Sequence, residues 1–350
     1  MVAFRLSQAG VQVSVFDKAE PARGTTAASF AWINANNKTP REYFELNHAG
    51  MQEHLRLRDE LPGDTTWFHQ SGNLIWAAGE DLDELNRRVE RLRNWGYAAE
   101  WRTASQVKAE LEPYVAFPDL AAPLAFFPQE TWVDAPWLTN LLLERAVEAG
   151  AVVRPGVGAG DILSYGDRVS GVTATGGEHV PVDAVVNAAG PNADQIAELV
   201  GRELPLESQK GLIVQVTAED GLLGRLFHTP QVNLRPDGPR RLLLNHDSVD
   251  ENLGDGDEEY FAEELLIRAK EIIPLMTNAG IADVRVGTRP MPMDGFSCVG
   301  GEEDLHGYYE AVTHSGVTLG PLIGRLLAQE ILTDEIDPLL APFRPDRYVR

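Results

Sequence analysis

The hydrophobic and polar positions predict a chain of alternating helices and strands. Near the start, Val11-Gln12-Val13-Ser14-Val15-Phe16 alternates as a strand that ends on Asp17, and Ala3–Gly10 before it reads as a helix closing on glycine. A helix feeding a strand with an acidic tip is the second and third element of a nucleotide-binding β-α-β unit. Amphipathic helices follow in "EDLDELNRRVERLRNWG", through Leu82, Leu85, Val89 and Leu92 to Gly96, and in "PWLTNLLLERAVEAG", through Leu138, Leu141, Leu142 and Ala146 to Gly150. Two more lie in "EEYFAEELLIRAKEIIP" and "PLIGRLLAQEIL".

The strands come in two styles. Residues 151–190 form short apolar runs broken by Gly and Asp turns and closed by the buried-looking "DAVVNAAG", whereas "QKGLIVQVT", "VNLRP" and "RRLLLNH" alternate like a largely antiparallel sheet with one wet face. Two domains interleaved in sequence explain this. No internal repeat is visible, and the acidic cluster "DSVDENLGDGDEEY" lacks calcium-loop spacing and reads as a solvated loop.

Composition narrows the partners. The 30 basic against 53 acidic residues give a formal charge of -23, which disfavours nucleic acid and anionic membrane and leaves small molecules as the expected ligands. A single cysteine, Cys298, excludes an intrachain disulfide, no apolar run reaches membrane-spanning length, and no signal peptide is read, so the cytoplasm is the default. Nothing in the pattern fixes an oligomeric state.

Five segments carry candidate chemistry. Asp17 stands where an acid accepts hydrogen bonds from a ribose, although Asp also ends strands well. "GTTAAS" brings Gly24, Thr25, Thr26 and Ser29, suited to approaching a pyrophosphate. "VDAVVNAAGP" ends a strand on small residues that let a dinucleotide lie close. "VGTRPMPMDGFSCVGG" and "YYEAVTHSGVTLGPLIG" follow, the latter running a His-Ser-Gly turn into a helix whose free amides attract an anion or the electron-rich end of a ring.

In this order, "VFDKAEPARGTTAAS", "VVNAAGP", "GTRPMPMDG" and "THSGVTLGPLIG" resemble the FAD-dependent amine and D-amino acid oxidoreductases, the family of glycine oxidase, sarcosine oxidase and D-amino acid dehydrogenase. The resemblance covers nearly the whole chain. It implies an α/β fold: a discontinuous, doubly wound, Rossmann-like FAD domain (1–66, 138–206 and 286–345) with an inserted, mostly antiparallel sheet plus helices for substrate (67–137 and 207–285). It implies non-covalently bound FAD, with Asp17 and Lys18 at the adenosine, Thr25 and Thr26 over the pyrophosphate, and Val157 meeting adenine through its backbone. Phe30, Ala31 and Trp32 would run beside the flavin, and His314, Ser315, Gly316, Val317 and Thr318 would grip its pyrimidine end.

Arg289 matches the arginine that binds the substrate carboxylate, and a guanidinium fork suits that task; an internal ion pair is the other reading. Arg285 is taken as structural. Cys298 reads as a buried core residue, and His48 and His54, six apart, do not share a helical face, so no metal is expected. His228, Asn233 and His246 lie in or beside the substrate sheet, as pocket or surface residues.

The chain departs from the family twice. Val232 or Asn233 stands where some relatives place a tyrosine, and the first strand with its "GxGxxG" turn is not found before the opening helix; a strand and turn of roughly a dozen to twenty residues upstream would restore it. The expected activity is oxidation of the C–N bond of a small or N-substituted amino acid to an imine, by hydride transfer to flavin. The alternatives are a non-catalytic remnant or partner subunit that binds FAD poorly, and a hydroxy-acid oxidoreductase of the same fold.

Overall fold

The computed structural model describes residues 1–61, 63 and 65–348. Its largest element is an eight-stranded sheet built around two long strands, Leu206–Thr217 and Ile281–Pro292, paired antiparallel from Leu206 opposite Pro292 to Val216 opposite Ile281. From Leu206–Thr217 the sheet continues through Arg241–Asn245, Asn233–Pro236, Leu226–His228, Asn73–Trp76 and Pro123–Phe127 to Glu100–Thr103. Leu226–His228 runs parallel to Asn73–Trp76; the other pairs are antiparallel.

Period-two alternation gives this sheet two faces. Leu212, Val214, Val216, Leu234, Leu242 and Leu244 pack into one core with Ala262, Leu265, Ala269 and Ile272 of the helix Glu258–Ile272. The opposite face presents Gly211, Ile213, His228, Asn233 and Asn245 to a cavity. The antiparallel, half-wet style read from "QKGLIVQVT" and "RRLLLNH" is this arrangement.

The parallel strands lie on the far side of the cavity in two groups. Ser14–Asp17 pairs in parallel with Val152–Pro155, and Val185–Asn187 pairs in parallel with Tyr308–Val312, which is antiparallel to Cys298–Gly301. Among the described residues no strand joins the groups, and Ser14–Asp17 and Val185–Asn187 both line the cavity. A helix Val2–Gln8 packs here against Ala135–Glu148 and Gly316–Thr333. Asp134 starts Ala135–Glu148 by accepting the Trp137 N–H at 2.9 Å, with a proline in the first turn.

Two elements are not announced by the sequence pattern. "GTRP", which the sequence reading assigns to no element, lies inside the strand Ile281–Pro292 and is extended by its partner strand. Arg41–Glu60 is a helix of 20 residues that periodicity does not announce, because Asn47, Glu53 and His54 are buried among its apolar positions. Among the described residues, no helix is long and apolar enough to cross a membrane.

Candidate active site

The cavity between the two sheet systems has a volume of about 1770 Å³. Every site residue expected from the sequence lines it except Val157, whose neighbour Gly158 does. The Val157 N–H is taken by the Asp17 carbonyl at 2.9 Å, which ties the loop after Val152–Pro155 to the strand tip. The Asp17 carboxylate accepts the Ala19 N–H at 2.9 Å, and Lys18 reaches across to Asn192 Oδ1 at 2.9 Å. These groups form one end of the cavity.

The loop that follows is fastened to the eight-stranded sheet. Thr25 donates to the Thr288 carbonyl at 2.6 Å, and the strand can come this close because residue 287 is glycine: a Cβ there would sit 2.8 Å from Ala28 Cβ and 3.2 Å from its carbonyl. Ala31 then takes a positive φ of 54° while buried, a conformation that costs an alanine of order 1–2 kcal/mol. Its N–H donates to Ser29 Oγ at 3.0 Å, and Trp32 emerges with its ring against His228 at 4.3 Å.

Trp32 leads to a group the sequence did not single out. Its indole N–H donates to Glu130 Oε2 at 2.7 Å, which also receives Asn73 Nδ2 at 2.8 Å; Glu130 Oε1 receives Asn36 Nδ2 at 3.0 Å and the Tyr97 hydroxyl at 2.9 Å. Burial pushes this carboxyl up to about 7, and the four donors act against that rise. They come from segments far apart in the chain, so no local motif marks Glu130.

The same network sets the state of His228. With Asn73 Nδ2 spent on Glu130, Asn73 Oδ1 is the acceptor for His228 Nδ1 at 2.8 Å, so Nδ1 carries the proton and Nε2 a lone pair. Burial lowers this histidine to about 3, and Arg88 and His246 add to the effect. It is a neutral hydrogen-bonding group at working pH.

At the other end of the cavity, Ser315 precedes the helix Gly316–Thr333, whose first amides have no side-chain cap. Lys38 donates to Ser315 Oγ at 3.0 Å, and the Tyr43 hydroxyl lies 3.2 Å from the same oxygen. Burial lowers Lys38 to about 8, while burial, Lys38 and Arg289 together lower His314 to about 4. His54 is a packing group: fully buried, lowered to about 4, its Nε2 is 2.8 Å from the Val317 carbonyl. His48 stacks on Phe44.

Arg289 lies flat over Gly211, where a Cβ would be 3.0 Å from Nη2 and 3.2 Å from Nε. Its Nη2 donates to Asp250 Oδ2 at 2.5 Å, and Asp250 Oδ1 accepts the Leu212 N–H at 2.8 Å. Burial raises Asp250, and these two bonds oppose the rise. Asp250 belongs to the acidic cluster read as a solvated loop; the structure instead buries it under the arginine it orients. Arg285 is turned away to the Ala27 carbonyl and Asp283. Cys298 is buried, its thiol donating to Glu310 and raised by burial.

The lining fits a flavin adenine dinucleotide. Gly24 and Gly190 face open space, where an added Cβ would meet nothing within 4 Å, and Asn34 Oδ1 and Asn36 Oδ1 are buried without a partner in residues that line the cavity. The acid-tipped strand, the threonine loop and the uncapped helix supply polar groups along its length.

Comparison with known proteins agrees. The chain is 27% identical over 357 residues to glycine oxidase of Geobacillus kaustophilus, covering 99% of this chain and 94% of the relative. It is 26% identical to the sarcosine oxidase beta subunit of an Arthrobacter species, covering 96% and 84%. The crystal structure of Geobacillus kaustophilus glycine oxidase superposes with a TM-score of 0.87 at 25% identity, covering all of this chain and 95% of that one. The pattern of the DAO family, FAD dependent oxidoreductases, matches residues 1–330, and the chain belongs to that family.

Proposed function

We propose that the protein oxidises the C–N bond of a small amino acid, or of an N-substituted one, to an imine. Bound FAD supplies the hydride acceptor. The observation that carries the reading is Arg289: one guanidinium nitrogen is held by Asp250, and the residue lines the cavity that also receives Trp32 and the His314–Thr318 turn. A carboxylate paired with that fork fixes the α-carbon in the cavity. Lys38 and the first amides of Gly316–Thr333 concentrate positive potential at the His314–Thr318 turn, where negative charge would collect on reduction. No side chain is required as a strong base, since the amine reacts neutral and water hydrolyses the imine.

In this reading residues 1–66, 138–206 and 286–345 hold the cofactor, and 67–137 and 207–285 present the substrate. Asp17, Lys18 and the backbone around Val157 take the adenosine; Thr25 and Thr26 take the pyrophosphate. Phe30, Ala31 and Trp32 flank the flavin, which the His314–Thr318 turn holds at its pyrimidine end.

The test is anaerobic mixing of flavin-loaded protein with amino acids of both hands and with N-methyl glycine. Bleaching of the flavin band with release of ammonia or methylamine supports the reading; bleaching by hydroxy acids alone, with no amine released, replaces it by the hydroxy-acid reaction. A protein that stays colourless after incubation with excess FAD would refute the reading.

A further inference from the structure

The floor of the cavity carries a row of polar side chains that the binding of a carboxylate and an amine does not use. Asn233 is directly opposite Asn245 on one neighbouring strand and directly opposite His228 on the other, so the three stand side by side across three strands. All three line the cavity. The row spans two strand spacings, about 10 Å. Their neighbours in sequence, Phe227, Leu234 and Leu244, point to the apolar core on the other face.

The row is short of partners. Asn245 is 7% exposed, and its Oδ1 has no hydrogen bond. His228 has its Nδ1–H committed to Asn73, and no described residue bonds its Nε2. A buried acceptor without a donor costs free energy that a matching ligand group recovers. Arg289 meets the row at its Asn245 end, because Asp250, which holds the guanidinium, lies in the short helix Asp247–Asp250 just after the strand Arg241–Asn245.

From this juxtaposition we propose that the row Asn245–Asn233–His228 is a specificity site, selecting amino acids whose side chain or N-substituent carries an uncharged hydrogen-bonding group such as a carboxamide or hydroxyl. The inference rests on the amino-acid reading of Arg289. With the carboxylate on Arg289, the tail runs along the floor from Asn245 towards His228. The row itself holds no formal charge, Asp247, which also borders the cavity, is exposed to solvent, and Arg88, whose charge acts on His228, does not line the cavity, so a charged tail finds no counter-ion among the side chains of the row. An apolar tail of the same shape leaves Asn245 and His228 unpaired and dry. A site built on hydrogen bonds discriminates against such isosteres far better than an apolar pocket discriminates by size.

Two near-isosteric pairs test this on the flavin-loaded protein: asparagine against leucine, and glutamine against methionine, each in both hands. Binding is read by calorimetry and turnover by flavin reduction. The expected result is that the polar member of at least one pair binds at least about tenfold tighter and has the higher kcat/KM. Asn233→Leu and, separately, Asn245→Leu should abolish or invert that preference, with flavin content unchanged. Equal or better binding of the apolar members overturns the specificity site, whatever the turnover. Tight polar binding without flavin reduction by any amino acid keeps the site and refutes the oxidation reading. Absence of both binding and reduction refutes both. If one leucine variant fails to fold, the other decides.

Discussion

Glu130 gives the sharpest stability prediction, because its two oxygens receive four donors and the two sides of the carboxylate respond differently to substitution. Replacing it with alanine strands the N–H groups of Trp32, Asn36 and Asn73, each at 3.0 Å or less from the carboxylate in the native protein. At about 1–3 kcal/mol for each unpaired donor, Glu130→Ala should cost about 3–9 kcal/mol, which is comparable to a whole domain's stability of about 5–15 kcal/mol. Glutamine is different. Its amide oxygen can face Trp32 and Asn73, which share Oε2, while its NH₂ faces the Tyr97 hydroxyl and Asn36, whose Oδ1 has no partner and can turn to accept. Glu130→Gln should therefore cost less than about 2 kcal/mol, and it keeps the Asn73 orientation that fixes His228. Urea denaturation of both variants measures the difference. A Glu130→Ala cost no larger than that of Glu130→Gln would refute the four-donor account.

Other expectations follow from the same geometry. Arg289→Ala should lower kcat/KM for amino acids by about 100-fold or more through KM, with flavin content preserved; because it leaves Asp250 paired only with the Leu212 N–H, adding Asp250→Asn should recover stability without recovering activity. Gly287→Ala should displace the Thr25–Ala28 loop from the strand that carries Arg289, costing about 1–3 kcal/mol and weakening flavin retention, read as absorbance after gel filtration. Stability should fall as pH drops from 7 to 5. His54 and His314 at about 4 and His228 at about 3 are held below the ordinary 6.5, so the unfolded chain binds more protons and the stability they contribute above 6.5 is lost below it. Glu130, raised from 4.5 to about 7, works in the opposite direction over that window. Three histidines at about 2 kcal/mol each against one carboxyl at about 2 leave a net loss of about 4 kcal/mol. A melting temperature that is flat or rises towards pH 5 contradicts this.

The parts of the site legible in the sequence are those in which neighbouring residues do the work. Asp17 at a strand tip, the Gly24–Ser29 loop and the His314–Thr318 turn each form from one short stretch, and their order carries the family resemblance. The helix Glu80–Asn94 was readable because only one face, Leu85, Val89 and Leu92, is buried. Arg41–Glu60 was not, because its Glu53 is buried against Arg325 and its His54 against a backbone carbonyl, so polar residues occupy core positions. Glu130 and Asp250 were invisible for a related reason. One sits in "PQETWVDAP" and the other in an acidic run, and both acquire their roles from partners brought by tertiary contacts. Periodicity reports which way a residue faces, not which distant donor meets it there.

The central claim is that Arg289 and the cavity it borders serve oxidation of an amine beside a carboxylate. The most direct measurement is stopped-flow absorbance of the flavin-loaded protein mixed without oxygen with D- and L-amino acids, followed by an ammonia assay, for the native chain and Arg289→Ala. The account predicts flavin bleaching matched by ammonia in the native protein and saturation at far higher substrate concentration in the variant. Identical concentration dependence in the two proteins, or bleaching by a primary amino acid without ammonia, would contradict it.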